Sequence, residues 1–174
     1  MPWYKGHTII QAIDIVPPPV YDESAPLKVA ISDVYKSEAI GPAIAGKIVA
    51  GTIDSKGKYI LVPGSIKVNV KSVVLNGRRV YSAPAGSTVE IGVDIDTTAI
   101  TVGSVLCALG SPLKLCHRFT AHIATLPALQ VPIFKGTSLL LYSQSMVQSV
   151  TITRLLDSYD KNGKSLNKKP KYIE

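Results

Sequence analysis

Turn chemistry recurs along this chain at short, nearly even intervals, and that spacing restricts the fold more than any single motif. Lys56-Gly57, Pro63-Gly64, Asn76-Gly77, Ala85-Gly86, Gly110-Ser111-Pro112 and Asn162-Gly163 punctuate the sequence, and Asn-Gly is the dipeptide best suited to a two-residue hairpin loop. Between the turns, apolar residues alternate with small or polar ones. Leu27, Val29 and Ile31 do so, as do Ile66, Val68 and Val70, with Lys67, Asn69 and Lys71 on the opposite face. Short strands about ten residues apart, with almost no helical period, specify closed or sandwiched antiparallel sheet. The expected fold class is all-β.

The amino end departs from this pattern. Thr8 and Gln11 spell a T-x-x-Q capping box, and Ile9, Ile10, Ala12, Ile13 and Val16 recur at helical spacing, so a short amphipathic helix is expected. Pro17, Pro18 and Pro19 end it, because consecutive prolines cannot continue a helix and favour a stiff extended connection. A second boundary is expected at Gly110-Ser111-Pro112. Strands from Leu27 to Leu109 suffice for one small barrel. After the boundary, FTAHIATL, TSLLLYSQ and SVTITRLLDSYD begin a second β unit that is thin for a complete barrel and ends in the strand-like Tyr172-Ile173.

With 174 residues, 46% apolar and only 18% charged, the chain has enough apolar surface for packed cores and is not of disordered composition. Its net charge of +7 suits a polyanionic partner, RNA above all. The densest cluster is Lys161, Lys164, Lys168, Lys169 and Lys171, which reads equally as a solvated tail. No apolar run approaches the ~20 residues that cross a bilayer, and Trp3, Tyr4 and Lys5 do not open a signal peptide. Cys107 and Cys116 read as buried, reduced core residues, since with His117 and His122 they lack zinc-ligand spacing.

No catalytic constellation assembles. Gly41, Gly46 and Lys47 fall at the spacing of a phosphate-binding loop. That loop needs Ser or Thr after the Lys and a helix behind it, whereas Ile48 and the β-branched IVAGTI follow. A β-strand with turn glycines is expected there, a divergent nucleotide site at residues 41–47 being the alternative. Asp94 and Asp96, two apart on one strand face, read as a solvated strand end. Arg78 and Arg79 follow the Asn76-Gly77 turn directly. A hairpin tip bearing two guanidiniums can grip RNA phosphates, or can guard an exposed edge strand by charge.

The order of these motifs resembles a known family. MPWYKG, the helix TIIQAID, the prolines, PLKVAISDVYK, the Gly-Lys-Ile…Ala-Gly-Thr-Ile strand and VGSVLC look like the region after the GTPase domain in translation elongation factor 1-alpha and its relatives. The stretches SPLKLCHRFTAHI, VPIFKGTSLLLYSQ and VTITRLLDSYDKNGKSLNKKPKYI are most similar to the HBS-like ribosome-rescue GTPase that partners Pelota, with the translation-termination GTPase as rival.

The resemblance implies an elongation factor Tu-like second-domain β-barrel over residues 25–109 and an incomplete third-domain β-barrel over residues 110–174. Residues 1–24 would be the helix and proline hinge leaving a GTPase domain. It implies no enzymatic activity and no cofactor in this chain, GTP and magnesium belonging to the absent GTPase domain. Its implied role is that of non-catalytic barrels in ribosome rescue and mRNA surveillance, in the cytoplasm. Implied partners are the small ribosomal subunit, its own GTPase domain and a Pelota-like protein, the alternatives being a class-one release factor or aminoacyl-tRNA. Arg78, Arg79, Lys164, Lys168, Lys169 and Lys171 are then the ribosome-facing candidates, and Pro17, Pro18 and Pro19 the interdomain hinge. Two departures qualify it. Val49 stands where the family usually carries Glu, which disfavours an aminoacyl-tRNA role for that strand, and the family's third domain continues well beyond Glu174. Open strand edges left by a truncated barrel are expected to be covered by self-association, a partner or rearranged strands.

Overall fold

The computed structural model describes residues 3–17, 19–38, 40–126, 131–160 and 165–173. Helix α1 (Ile9–Ile15) forms where the capping box predicts it. The Thr8 hydroxyl accepts from the Gln11 amide at 3.3 Å, and the Gln11 side chain accepts from the Thr8 amide at 2.9 Å. The helix buries none of its residues, so Ile9, Ile10 and Ile13 stay exposed. At Val16 the backbone turns extended. Pro17 and Pro19 follow, exposed and outside regular structure, while Pro18 lies outside the described residues.

Strands follow in quick succession: β1 (Lys28–Ser37), β2 (Gly41–Ala50), β3 (Thr52–Asp54), β4 (Lys58–Val62), β5 (Ile66–Leu75), β6 (Arg78–Val80), β7 (Ser82–Pro84), β8 (Thr88–Val93) and, after a single 3-10 turn at Thr97–Ala99, β9 (Val105–Ala108). The main sheet runs β4-β9-β1-β2-β8-β5-β6, and β4 also pairs with β5. The strands from β4 to β5 therefore close into a ring, with β6 appended outside it. Closure satisfies the edges that an open sheet would leave.

The ring encloses one core. Val29, Ile31, Ile44, Ile48, Leu61, Val68, Val73, Val89, Ile91 and Leu106 are essentially inaccessible to solvent. Each such aliphatic side chain contributes about 1.5–3 kcal/mol relative to exposure. The alternation read from the sequence is borne out on β5, where Val68 and Val70 point inward and Lys67, Asn69 and Lys71 outward. The Asn76-Gly77 hairpin is borne out as well. Both residues take positive φ, 51° and 75°, and Leu75 pairs with Arg78 across the two-residue turn, the geometry that matches the twist of the flanking strands.

The rest of the chain is paired differently. β10 (Ile133–Phe134) pairs with β15 (Tyr172–Ile173), β11 (Ser138–Ser143) with β12 (Met146–Thr151), and β13 (Asp157–Tyr159) with β14 (Ser165–Lys168). Each is a two-stranded ribbon, and Ile133 is the buried apolar residue among those described after residue 110. The strand expected over FTAHIATL is absent: described residues 119–126 carry no regular structure and are exposed. An alternating segment becomes a strand only by pairing, and these residues have no partner strand. Cys116 lies in the same exposed stretch, so its reading as a core residue is corrected, whereas Cys107 is buried as expected. The Asn162-Gly163 turn lies outside the described residues.

Candidate functional site

The phosphate-loop spacing resolves into architecture. Residues 41–47 lie within strand β2, and no helix follows Lys47. Gly46 is glycine for a packing reason: a Cβ there would stand 2.5 Å from the Ala30 carbonyl oxygen and 3.0 Å from Val29 Cγ1 on the neighbouring strand. The amides that would cradle a phosphate are spent in the β1–β2 and β2–β8 ladders. Lys47 points outward, its ammonium over the Tyr21 ring at 5.5 Å from the centroid.

The paired aspartates are structural too. β8 ends at Val93, so Asp94 and Asp96 lie beyond the strand rather than on one of its faces, a correction to the sequence reading. Asp94 accepts from the Asn69 amide at 2.8 Å and from the Asn69 side chain, while its own amide donates to the Asn69 carbonyl at 3.2 Å. These bonds sit beside the bulge between Val70 and Ser72 in the β5–β8 ladder. The Asn69 backbone N–H, then the Asn69 side chain, hold the Asp94 carboxyl below the usual carboxylate range, partly opposed by desolvation, and Lys71 adds to the lowering. Asp96 caps the 3-10 turn by accepting from the Thr98 amide. Among the described residues no group of three or more His, Cys, Asp or Glu is placed to hold a metal ion.

The basic candidates fall in two separate regions, the β5–β6 tip and the segment from β14 to β15. Arg78 and Arg79 open β6, which hangs on β5 at the edge of the main sheet, and both are exposed. Register places Arg79 opposite Val74 and Val74 opposite Glu90, so this row carries both signs of charge. Lys168 ends β14 opposite Asp157, Lys169 follows with φ 54° and donates its amide to the Leu156 carbonyl at 2.7 Å, and Lys171 precedes β15. All three are exposed; Lys164 lies outside the described residues.

One cleft joins the barrel to the later ribbons, a feature that no sequence motif announced. It encloses about 420 Å³ between Tyr21, Lys47 and Val49 on the barrel side and Gln144 and Ser145 at the tip of the β11–β12 hairpin. A smaller neighbouring hollow of about 220 Å³ runs past Val49, Gly103, Leu113 and Met146. The hairpin tip comes close because Gly103 lacks a side chain: at its φ of 88°, a Cβ would lie 2.8 Å from Met146 Cα. Val49 therefore forms part of an apolar wall at the junction of the two sheet systems.

Comparison with known proteins agrees with this geometry. No protein-family profile matches the chain. Over its full length it is 30% identical to elongation factor 1-alpha of Thermoplasma volcanium, of which it covers 41%. It is 28% identical to protein HBS1 of Drosophila melanogaster over 98% of this chain and 26% of that protein. The crystal structure of Sup35 complexed with GMPPNP superposes with a TM-score of 0.78 at 25% identity, over 99% of this chain and 42% of that one. The chain thus spans less than half the length of the relatives it matches.

Proposed function

The chain is a homologue of translational GTPases of the elongation factor 1-alpha, HBS1 and Sup35 family, and from that premise we propose that it supplies the non-catalytic barrels of a ribosome-rescue factor working with a Pelota-like protein. In this reading residues 1–24 are helix and hinge, residues 25–109 the second domain and residues 110–174 part of the third. GTP and magnesium act in a GTPase domain outside this chain, and the setting is cytoplasmic. The observation that carries the rescue role is Val49: it lines an apolar wall between barrel and hairpin, which suits a protein partner better than the charged end of an aminoacyl-tRNA. Arg78 and Arg79 are the leading contacts to the small ribosomal subunit, with Lys168, Lys169 and Lys171 a second set.

The likeness to Sup35 favours a second reading, the barrels of a termination factor that binds a class-one release factor. Immobilised chain offered a Pelota-like protein, a class-one release factor and aminoacyl-tRNA side by side separates the possibilities. Retention of the Pelota-like protein is the expected result. Retention of the release factor or of aminoacyl-tRNA instead transfers the chain to the corresponding relative. Replacing Arg78 and Arg79 by Glu is expected to weaken small-subunit association and flatten its salt dependence.

A further inference from the structure

We propose that the outer face of the β4–β5 ribbon is an RNA-binding surface in its own right, one that grips the phosphate backbone of a duplex and is separate from the arginine-bearing β5–β6 tip. It rests on the reading that the chain acts on ribosomal RNA and adds a second footprint to it.

Strand parity makes the surface. With Val68 and Val70 committed to the core, Lys67, Asn69 and Lys71 project outward in a row, all exposed. Register sets Lys58 opposite Asn69 and Ile60 opposite Lys67, and directly opposed residues share a face. The Val70 amide donates to the Gly57 carbonyl at 2.9 Å, so the ribbon continues past Lys58 and brings Lys56 toward the level of Lys71. Lys56 is exposed and held at φ 70° in the turn. Lys58, Lys67 and Lys71 thus share one side of a two-stranded ribbon, with Lys56 in the turn at its end. The carboxylates beside them are Asp54, which ends β3, and Asp94, whose carboxylate is engaged by Asn69.

The chemistry favours backbone phosphates. Tyr59 is the aromatic residue of these strands; it is buried, with its hydroxyl accepting from the Asp54 amide at 2.9 Å. The face therefore offers no ring on which an unpaired base could stack, the usual anchor for single strands. It also lacks an exposed aromatic or large apolar anchor of the kind that centres protein interfaces. What remains is a row of ammonium donors on a rigid strand pair, which suits the sequence-independent outline of a duplex. From Leu75, the partner of Arg78, the strand runs roughly 13 Å back to Lys71 and roughly 26 Å to Lys67, so the ribbon face carries an RNA footprint away from the hairpin tip.

The test is fluorescence anisotropy of a short labelled RNA duplex with the full 174-residue chain across a salt series. Replacing Lys58, Lys67 and Lys71 together by Gln should weaken binding at least tenfold and lower the salt slope by about 2–3, near 0.9 for each phosphate that is no longer neutralised. The matching triple Lys→Arg variant should bind like the parent, and each single Lys→Gln change should remove about one unit of slope, which keeps the test valid should the triple variant not fold. Parental affinity and slope in the Gln variants, with weakening confined to an Arg78→Gln, Arg79→Gln variant, would overturn the ribbon surface and leave the proposed function standing. A parent chain that binds neither the duplex nor the small subunit would remove both.

Discussion

Lys47 and Tyr21 hold the entry of the chain against the barrel: the ammonium lies over the ring at 5.5 Å from its centroid. The Cδ2–Cε2 edge of the ring lies against Gly86, where a Cβ would come within 2.7 Å of it. Just behind, the Asp22 carbonyl accepts from the Gly51 amide at 2.8 Å, and the Asp22 side chain accepts from Ser24 and Ala25. The lysine that mimics a phosphate ligand in the sequence therefore serves as a clasp. Lys47→Met, which keeps the aliphatic stem, should cost about 0.5–1 kcal/mol in urea unfolding, the range of an exposed cation–π contact. Gly86→Ala should cost more, because the added methyl displaces the ring and the native φ of 90° disfavours a side chain. Amide exchange at Gly51 should quicken in both variants; unchanged exchange in both would mean that the clasp does not hold the linker.

The acid limb of stability should run through Asp94. Its carboxyl titrates below its usual value of 3.8, chiefly because the Asn69 backbone N–H favours the charged form. A carboxyl depressed in the folded state contributes stability above its unfolded value, and that contribution is lost as pH falls through the folded one. In Asp94→Asn, urea midpoints at pH 7 should fall below those of the parent, and the gap should narrow as pH drops below about 4. Asp22, lowered first by the Ser24 hydroxyl, follows the same sign in the linker. A gap that stays constant down to about pH 2.5 would show that the Asn69–Asp94 bonds carry no pH-linked stability.

How far the sequence reaches is visible in which partners are local. The Asn76-Gly77 turn and the alternation on β5 are legible because neighbouring residues determine them. The β4–β5 hairpin around Pro63-Gly64 is legible for the same reason, and that pairing closes the ring. The placement of β9 between β4 and β1 is not, because nothing near Val105 names strands so far back in the chain. The same limit explains the misplaced features. Asp94 and Asp96 read as strand because the end of the ladder, at the Val70–Val93 pair just past the bulge, depends on two strands meeting. Residues 119–126 read as strand because alternation is local while pairing is not. At the candidate site the arginine tip was legible from its turn, whereas the cleft beside Val49 needed the Gly103–Met146 approach.

The alkaline limb should run through Tyr35. Its phenol is pushed up to about 12, first by desolvation and then by donating its hydrogen bond to Glu90, whose charge and that of Asp33 oppose ionisation further. A folded-state value above the ordinary 10.0 gives a contribution fully present below about pH 10, which disappears as the pH rises through the folded value. Tyr35→Phe removes the hydroxyl and leaves the Glu90 carboxylate without that donor. Its stability should therefore be lower than the parent's at pH 8, by about 1–2 kcal/mol for a charge-assisted bond at a partly exposed site, and the two should converge between about pH 10 and 12. Absorbance of phenolate during alkaline titration gives an independent reading. Tyr59, raised by burial, titrates late in both proteins; the parent should show one further late-titrating tyrosine that Tyr35→Phe lacks, and an identical titration curve for both would contradict the Tyr35–Glu90 pairing.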